Sequence, residues 1–223
     1  MLDQGAFPEF FWEFKPIEVV SGGNHLIYYV SPEYLCLGVD DDWVHMPMWP
    51  TTAKNWMQRN DLVLPTKTMV NQIEAQEKYK GISPLTYGSM YPENAKKYSR
   101  DSSQCFWDHS KGVQRRTKEK FPQFVLGDLV SGQKKDVVLT DYLSNPAHKN
   151  NVAIYGWFNK DGTVIQGMNA VDHSVRYVDY SHGLRMVKNQ CVLNGLETSM
   201  QKVWSDLVFS KLAHDAILRF QSY

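Results

Sequence analysis

Residues 172–185, DHSVRYVDYSHGLR, set Asp172, His173, Arg176, Asp179, Ser181, His182 and Arg185 along one short run. A strand that only builds a core does not need that much titratable chemistry, so a site is expected here. Histidine beside a carboxylate serves acid–base work, because imidazole titrates near neutral pH and a carboxylate fixes its tautomer and orientation. His182 is the leading general base or acid, with His173 as a second imidazole and Asp179 or Asp172 orienting it. The competing view is an exposed edge strand with polar residues outward. A second cluster, Ser131-Gly132-Gln133-Lys134-Lys135-Asp136, is a turn running into the apolar DVVLT. Lys135 and Arg185 would bind substrate charge, helped by Asp136 and Ser181. Otherwise the turn is simply a charged one.

If residues 175–181 are extended, His173, Tyr177, Asp179 and Ser181 project to one face, and Arg176, Tyr180 and His182 to the other. His173 and His182 then share a face only if the strand breaks between them. Gly183 marks a plausible strand end. We expect the 131–136 turn to lie within about one side-chain length of His182, since burying either charged segment alone would leave unpaired ions.

Other chemistries fit less well. Ser181 beside His182 is no nucleophile pair, because neighbours on a strand point opposite ways, and there is no GxSxG elbow. Cys105 with His182 has no more support, since Cys105 falls on an apolar helix stripe. His173, Asp179 and His182 could form a two-His-one-carboxylate set, but the spacing matches no HExxH, so no metal is expected. Asp40-Asp41-Asp42 lacks the alternate spacing of a calcium loop and reads as an acidic turn. No GxxxxGK[ST] or GxGxxG is present, so no organic cofactor is expected.

These residues need a scaffold. Phe7, Phe10, Phe11 and Phe14 form a helical stripe in residues 1–16, a docking segment that would bury several kcal/mol or, if exposed, meet a protein partner or a second copy. A hairpin turns at Gly22-Gly23-Asn24. Thr51 or Thr52 would cap one helix; Thr66 opens a second, which Gly81 stops. Residues 82–100 read as a long Tyr-rich loop of the kind that covers sites. A helix over about 101–120 turns Cys105, Phe106, His109 and Val113 inward. Strands are expected at 124–130, 136–140, 152–158, 163–168 and 175–181, with turns at Lys160-Asp161-Gly162 and Asn194-Gly195. Thr198 with Gln201 would cap a last helix whose apolar face includes Leu207 and Val208. The expected architecture is α+β, a single domain over 1–223, with a largely antiparallel sheet and several helices packed on one side.

The 223 residues carry formal charge zero, which removes the electrostatic basis for general nucleic-acid binding. Lys111, Arg115, Arg116, Lys118 and Lys120 form a local basic face, as solvated helices often do. Cys36, Cys105 and Cys191 form no disulfide framework or metal knuckle and are expected as buried free thiols. No apolar run reaches the roughly 18 residues of a membrane span, and the start lacks the features of a signal peptide, so a cytoplasmic or virion-associated location is expected.

In IYYVSPEYLCLGVDDDWVHMPM, LVLPTKTMVNQIEAQ, SGQKKDVVLT, VAIYGWFNKDGTVIQ and YVDYSHGLRMV, in that order and spacing, the chain resembles an uncharacterised family of bacterial or phage-like proteins. The resemblance runs from about Phe7 to the C-terminus. It implies a single domain and no particular reaction. It also implies that His often stands in that family where this chain has Gln133 and Phe158. Two functions are carried forward. One is a hydrolase-type enzyme on a polymeric or small polar substrate, such as a carbohydrate or peptidoglycan-like polymer whose sugar faces would suit the aromatic surplus. The other is a non-catalytic structural or binding protein of a virion or cell-envelope assembly, with the same residues in a buried network.

Overall fold

The structure is a computed structural model and describes residues 5–93, 97–170, 173–220 and 223. It is α+β. Among the described residues the first element is a 3-10 turn, Glu9–Trp12, rather than a full helix. Pro16 lies in the strand that follows, which leaves no length for one. The phenylalanines dock on the body as expected: Phe10 and Phe11 enter the core, and Phe7 and Phe14 pack against it.

Strands β1 (Lys15–Ser21) and β2 (Asn24–Val30) form a hairpin through Gly22 and Gly23, both at positive φ, the backbone a two-residue turn demands. β3 (Cys36–Val39) and β4 (Asp42–His45) form a second hairpin around the acidic turn. Helix α1 (Pro50–Arg59) follows; Pro50 occupies its first turn and Trp49 its N-cap position, so neither Thr51 nor Thr52 caps it. Next come β5 (Leu62–Val63) and α2 (Lys67–Gln76). Thr66 does cap α2, accepting from the Met69 N–H, but the helix ends before Gly81, with Glu77 already extended.

The Tyr-rich segment contains a one-turn helix, α3 (Tyr87–Met90). Helix α4 (Ser103–Lys120) starts on a Ser102 cap and buries Cys105, His109 and Val113. Residues 124–130 are turns, not a strand, because Asp128 folds its carboxylate back onto the Val125 N–H and Gly127 sits at positive φ. β6 (Lys135–Val137), β7 (Ile154–Phe158) and β8 (Val164–Ala170) follow, then β9 (His182–Gly183), β10 (Val187–Lys188), β11 (Gln190–Leu193) and β12 (Leu196–Ser199). β11 and β12 turn at Asn194 and Gly195, both at positive φ. Ser199, not Thr198, caps α5 (Met200–Ser205), whose early end leaves Leu207 76 % and Val208 62 % exposed.

One sheet was expected; there are three. A six-stranded sheet holds β1, β2, β5 and β10–β12, a two-stranded one β3 and β4, and a four-stranded one runs β8-β7-β6-β9. Their pairings are antiparallel except β6 with β9. α2 packs against both β1 and β7 and so lies between the two larger sheets. Its Met69 and Ile73 join the main core with Phe11, Ile17, Tyr28 and Trp204. Among the described residues no helix is long and apolar enough to cross a membrane.

Candidate functional site

The parallel pairing of β6 with β9 builds the site. It sets Lys135 opposite His182 and Asp136 opposite Gly183. Register partners project to the same side of a sheet and adjacent residues to opposite sides. The charged residues are therefore sorted into two groups, where one pocket was expected.

On the first face stand Lys135 and His182. The segment leading to His182 is not the strand expected over 175–181. It turns at Ser174–Tyr177, and Asp179 Oδ1 accepts from Ser181 N at 2.8 Å and Ser181 Oγ at 2.6 Å. That local Asx turn competes with the extended backbone. It also breaks the alternation that would have kept His173 and Asp179 off His182's face. The His173 ring stacks on Tyr177 at 4.3 Å and lies 6.1 Å from the His182 ring, centroid to centroid. His182 Nε2 is 4.0 Å from Asp179 Oδ1, and Tyr177 Oη donates to Asp179 Oδ2 at 3.2 Å. Lys135 Nζ rests 4.9 Å above the Trp157 ring. His173, Asp179, His182 and Lys135 are thus together. Asp172 lies outside the described residues.

Electrostatics sharpens the picture. Burial pushes the His182 imidazole down to about 4, with Lys135 and His173 acting the same way against Asp179, so His182 is neutral near pH 7. Burial would raise Asp179, but His182, the two Ser181 donors and Lys135 outweigh it and hold the carboxylate ionised. His182 is only 2 % exposed, and among the described residues neither its Nε2 nor the buried Trp157 Nε1 has a hydrogen-bond partner. Both residues neighbour Lys135, His182 as its register partner and Trp157 beneath its ammonium. Trp157 also has φ +61, a strained backbone for a bulky residue, and such strain gathers at functional sites.

The Tyr-rich segment covers this face. The Tyr87 N–H donates to Tyr180 Oη at 2.7 Å, and Tyr87, Tyr91, Cys105, Trp157 and Tyr180 form one buried cluster. On the Tyr177 side lies an open depression of about 330 Å³, lined by Trp49, Thr52, Asp101, Arg176 and Tyr177 among others.

The second face is interior. Asp136 accepts from Tyr34 Oη at 3.1 Å, and the Tyr34 ring packs where Gly183 has no side chain. Arg185 is fully buried, donating to the backbone carbonyls of Ser31, Pro32 and Val130, with its guanidinium 4.2 Å over the Tyr34 ring. Burial lifts Asp136 to about 7 and lowers Lys134 to about 7. Lys134 Nζ donates to Tyr180 O at 2.6 Å and meets His109 Nδ1 at 3.3 Å. Arg185 and Asp136 therefore hold the fold and reach no open surface, contrary to the substrate-binding roles expected for them. Ser181 likewise gives its hydroxyl to Asp179.

Trp157 and Tyr34 were not anticipated as partners. The Asp179-x-Ser181 spacing was a readable turn signal; nothing local announces Tyr34, which comes from far along the chain. Glu74 and Glu77 converge on the Ser131 hydroxyl, and burial with Glu74 nearby raises Glu77 to about 8. Phe158 and Gly132 lie beside this pair, while Gln133 Nε2 reaches the Ile82 carbonyl at 3.2 Å. Cys36, Cys105 and Cys191 are buried thiols. Among the described residues no group of three or more His, Cys, Asp or Glu is placed to hold a metal ion. Compared with family models, with curated proteins and with solved structures, the chain matches none.

Proposed function

We propose that the chain is a hydrolase-type enzyme whose chemistry is centred on His182, Asp179 and Lys135. The observation that carries this is the pairing of Lys135 with His182, which sets a neutral, unpartnered imidazole nitrogen beside an ionised carboxylate and a cation. The 4.0 Å gap between His182 Nε2 and Asp179 Oδ1 is too long for a direct hydrogen bond, so this nitrogen keeps its capacity to take a proton from an attacking water. His182 takes one proton as the water attacks the scissile carbon, Lys135 stabilises the negative charge that develops on the leaving heteroatom, and His182 returns the proton to that atom as its bond to the carbon breaks. His173, stacked on Tyr177, borders the approach.

The substrate class is a carbohydrate or peptidoglycan-like polymer. Trp49 and Tyr177 present aromatic surface in the neighbouring depression, with Arg176, Asp101 and Thr52 supplying polar contacts. A polymer laid there comes against Tyr177, which touches both Asp179 and the His182 ring.

The test is release of soluble fragments or reducing ends from purified sacculi and a panel of polysaccharides. His182→Gln and Lys135→Met should each lower the rate about 100-fold or more while the protein stays folded. Full activity in His182→Gln would sink the mechanism.

Burial favours a second reading. His182, Asp179, Asp136, Lys134 and Arg185 are all buried, as in a network that fixes a structural or binding protein of a virion or envelope assembly. A wild-type protein that cleaves no polymer, with a His182→Gln variant that simply unfolds, would establish it. A partner docking on the N-terminal segment would use Trp12, 42 % exposed, since Phe10 and Phe11 are already in the core.

A further inference from the structure

A cavity of about 310 Å³ is bordered by the β3–β4 hairpin, α4 and the 124–130 segment. It holds about ten waters at about 30 Å³ each. Trp43, Val113, Phe124 and Val130 supply apolar walls, and Glu33, Asp40 and Asp41 bring three carboxyl groups against one lining cation, Lys118. None of the His182 cluster lines it.

Glu33 sets this cavity apart from an ordinary acidic rim. Its side chain is only 8 % exposed. Oε1 accepts from the Tyr34 N–H at 2.9 Å and meets His45 Nε2 at 3.1 Å. Among the described residues nothing donates to Oε2, and Glu33 is one of the residues that line the cavity. Burial alone would raise the carboxyl, but His45, Arg185 and the Tyr34 N–H bring it below the ordinary value. Burial keeps His45 itself mostly neutral, and Arg185 also faces Asp136. An ionised carboxylate with an unused acceptor at the edge of a cavity of mixed polar and apolar lining calls for a donor that carries positive charge.

We propose that this cavity binds a small organic cation, an ammonium or guanidinium group on an apolar body. Glu33 Oε2 takes the cationic N–H, Trp43 lies against the ligand, and Asp40 and Asp41 raise the local cation concentration at the mouth. The apolar walls favour an organic cation over a hydrated metal ion, which would keep its waters.

Phenethylammonium is the probe, with phenethyl alcohol and phenylpropionate as neutral and anionic controls of similar shape. Calorimetry should show saturable binding of the ammonium, binding of the alcohol weaker by about tenfold or more, and no binding of the carboxylate. The Trp43 indole N–H resonance, assigned with Trp43→Phe, should move on titration. Glu33→Gln keeps an acceptor for the Tyr34 N–H and should lose about tenfold or more in ammonium affinity. If that variant fails to fold, the wild-type resonance and the control ligands decide. The proposal is overturned if the alcohol binds as tightly as the ammonium, if ammonium binding leaves Trp43 unmoved, if a folded Glu33→Gln binds unchanged, or if the ammonium does not saturate.

Discussion

Arg185→Met separates scaffold from site most directly. The guanidinium is fully buried and donates from Nη1 to Ser31 O at 2.9 Å and Pro32 O at 3.1 Å, and from Nη2 to Val130 O. It is also the cation that Asp136 and Glu33 interact with inside the core. Methionine restores much of the stem's packing and none of the donors. Each of the three carbonyls left buried without a donor costs about 1–3 kcal/mol, and Glu33 and Asp136 lose a nearby cation in the core. One guanidinium serves both roles, so the terms overlap and do not sum. We expect a loss of about 4–6 kcal/mol, a large part of the roughly 5–15 kcal/mol that holds a typical domain. Urea unfolding followed by tryptophan fluorescence reads this as a midpoint lower by about 2–3 M, at a slope of about 2 kcal/mol/M. A midpoint within about 0.5 M of wild type would refute the scaffold role. If polymer cleavage were then lost at unchanged stability, Arg185 would be the substrate contact its sequence neighbourhood suggested.

Because burial lowers His182 from 6.5 to about 4, its folded form resists a proton that the unfolded chain accepts. Its contribution is present above pH 6.5 and lost as pH falls towards 4, worth about 3 kcal/mol. The wild-type urea midpoint should therefore drop between pH 6.5 and 4.5 more steeply than that of His182→Gln; equal slopes would show that the imidazole is not desolvated. Asp136 runs the other way. Raised from 3.8 to about 7, its contribution is present below 3.8 and fades as pH climbs through 7. Asp136→Asn should therefore gain on wild type between pH 5 and pH 8, and a constant difference would count against a protonated Asp136. Gly183→Ala would put a Cβ 2.4 Å from Tyr34 Cδ1, and a thermal melt should register a loss of about 1–3 kcal/mol; an unchanged melt would mean Tyr34 does not pack there.

Turns and caps were readable where their chemistry is local. Gly22-Gly23 and Asn194-Gly195 supply the positive φ that two-residue hairpins need, and Thr66 puts its hydroxyl where an N-cap must be. Errors arose where a neighbour outvoted a local signal. Leu207 and Val208 continue an apolar stripe in sequence, but Asp206 turns the backbone, accepting from the Val208 and Phe209 N–H groups, and the helix stops. Residues 124–130 look like a strand until Asp128 and Gly127 are given their turn roles.

The chain by itself showed where titratable residues are concentrated. His173, Asp179 and His182 are close in sequence, and two local turns, at Ser174–Tyr177 and Asp179–Ser181, bring them together. Tertiary structure decided which charges face outward. Pairing β6 with β9 across a long stretch of chain is a non-local choice, and its register puts Lys135 beside His182 while sending Asp136, one residue on, into the core. Shifting that register by one residue would exchange the two faces, because strand side chains alternate. The partner that seals the inner face, Tyr34, comes from a distant part of the chain and packs on a glycine, a contact no pattern in residues 131–136 or 172–185 could announce.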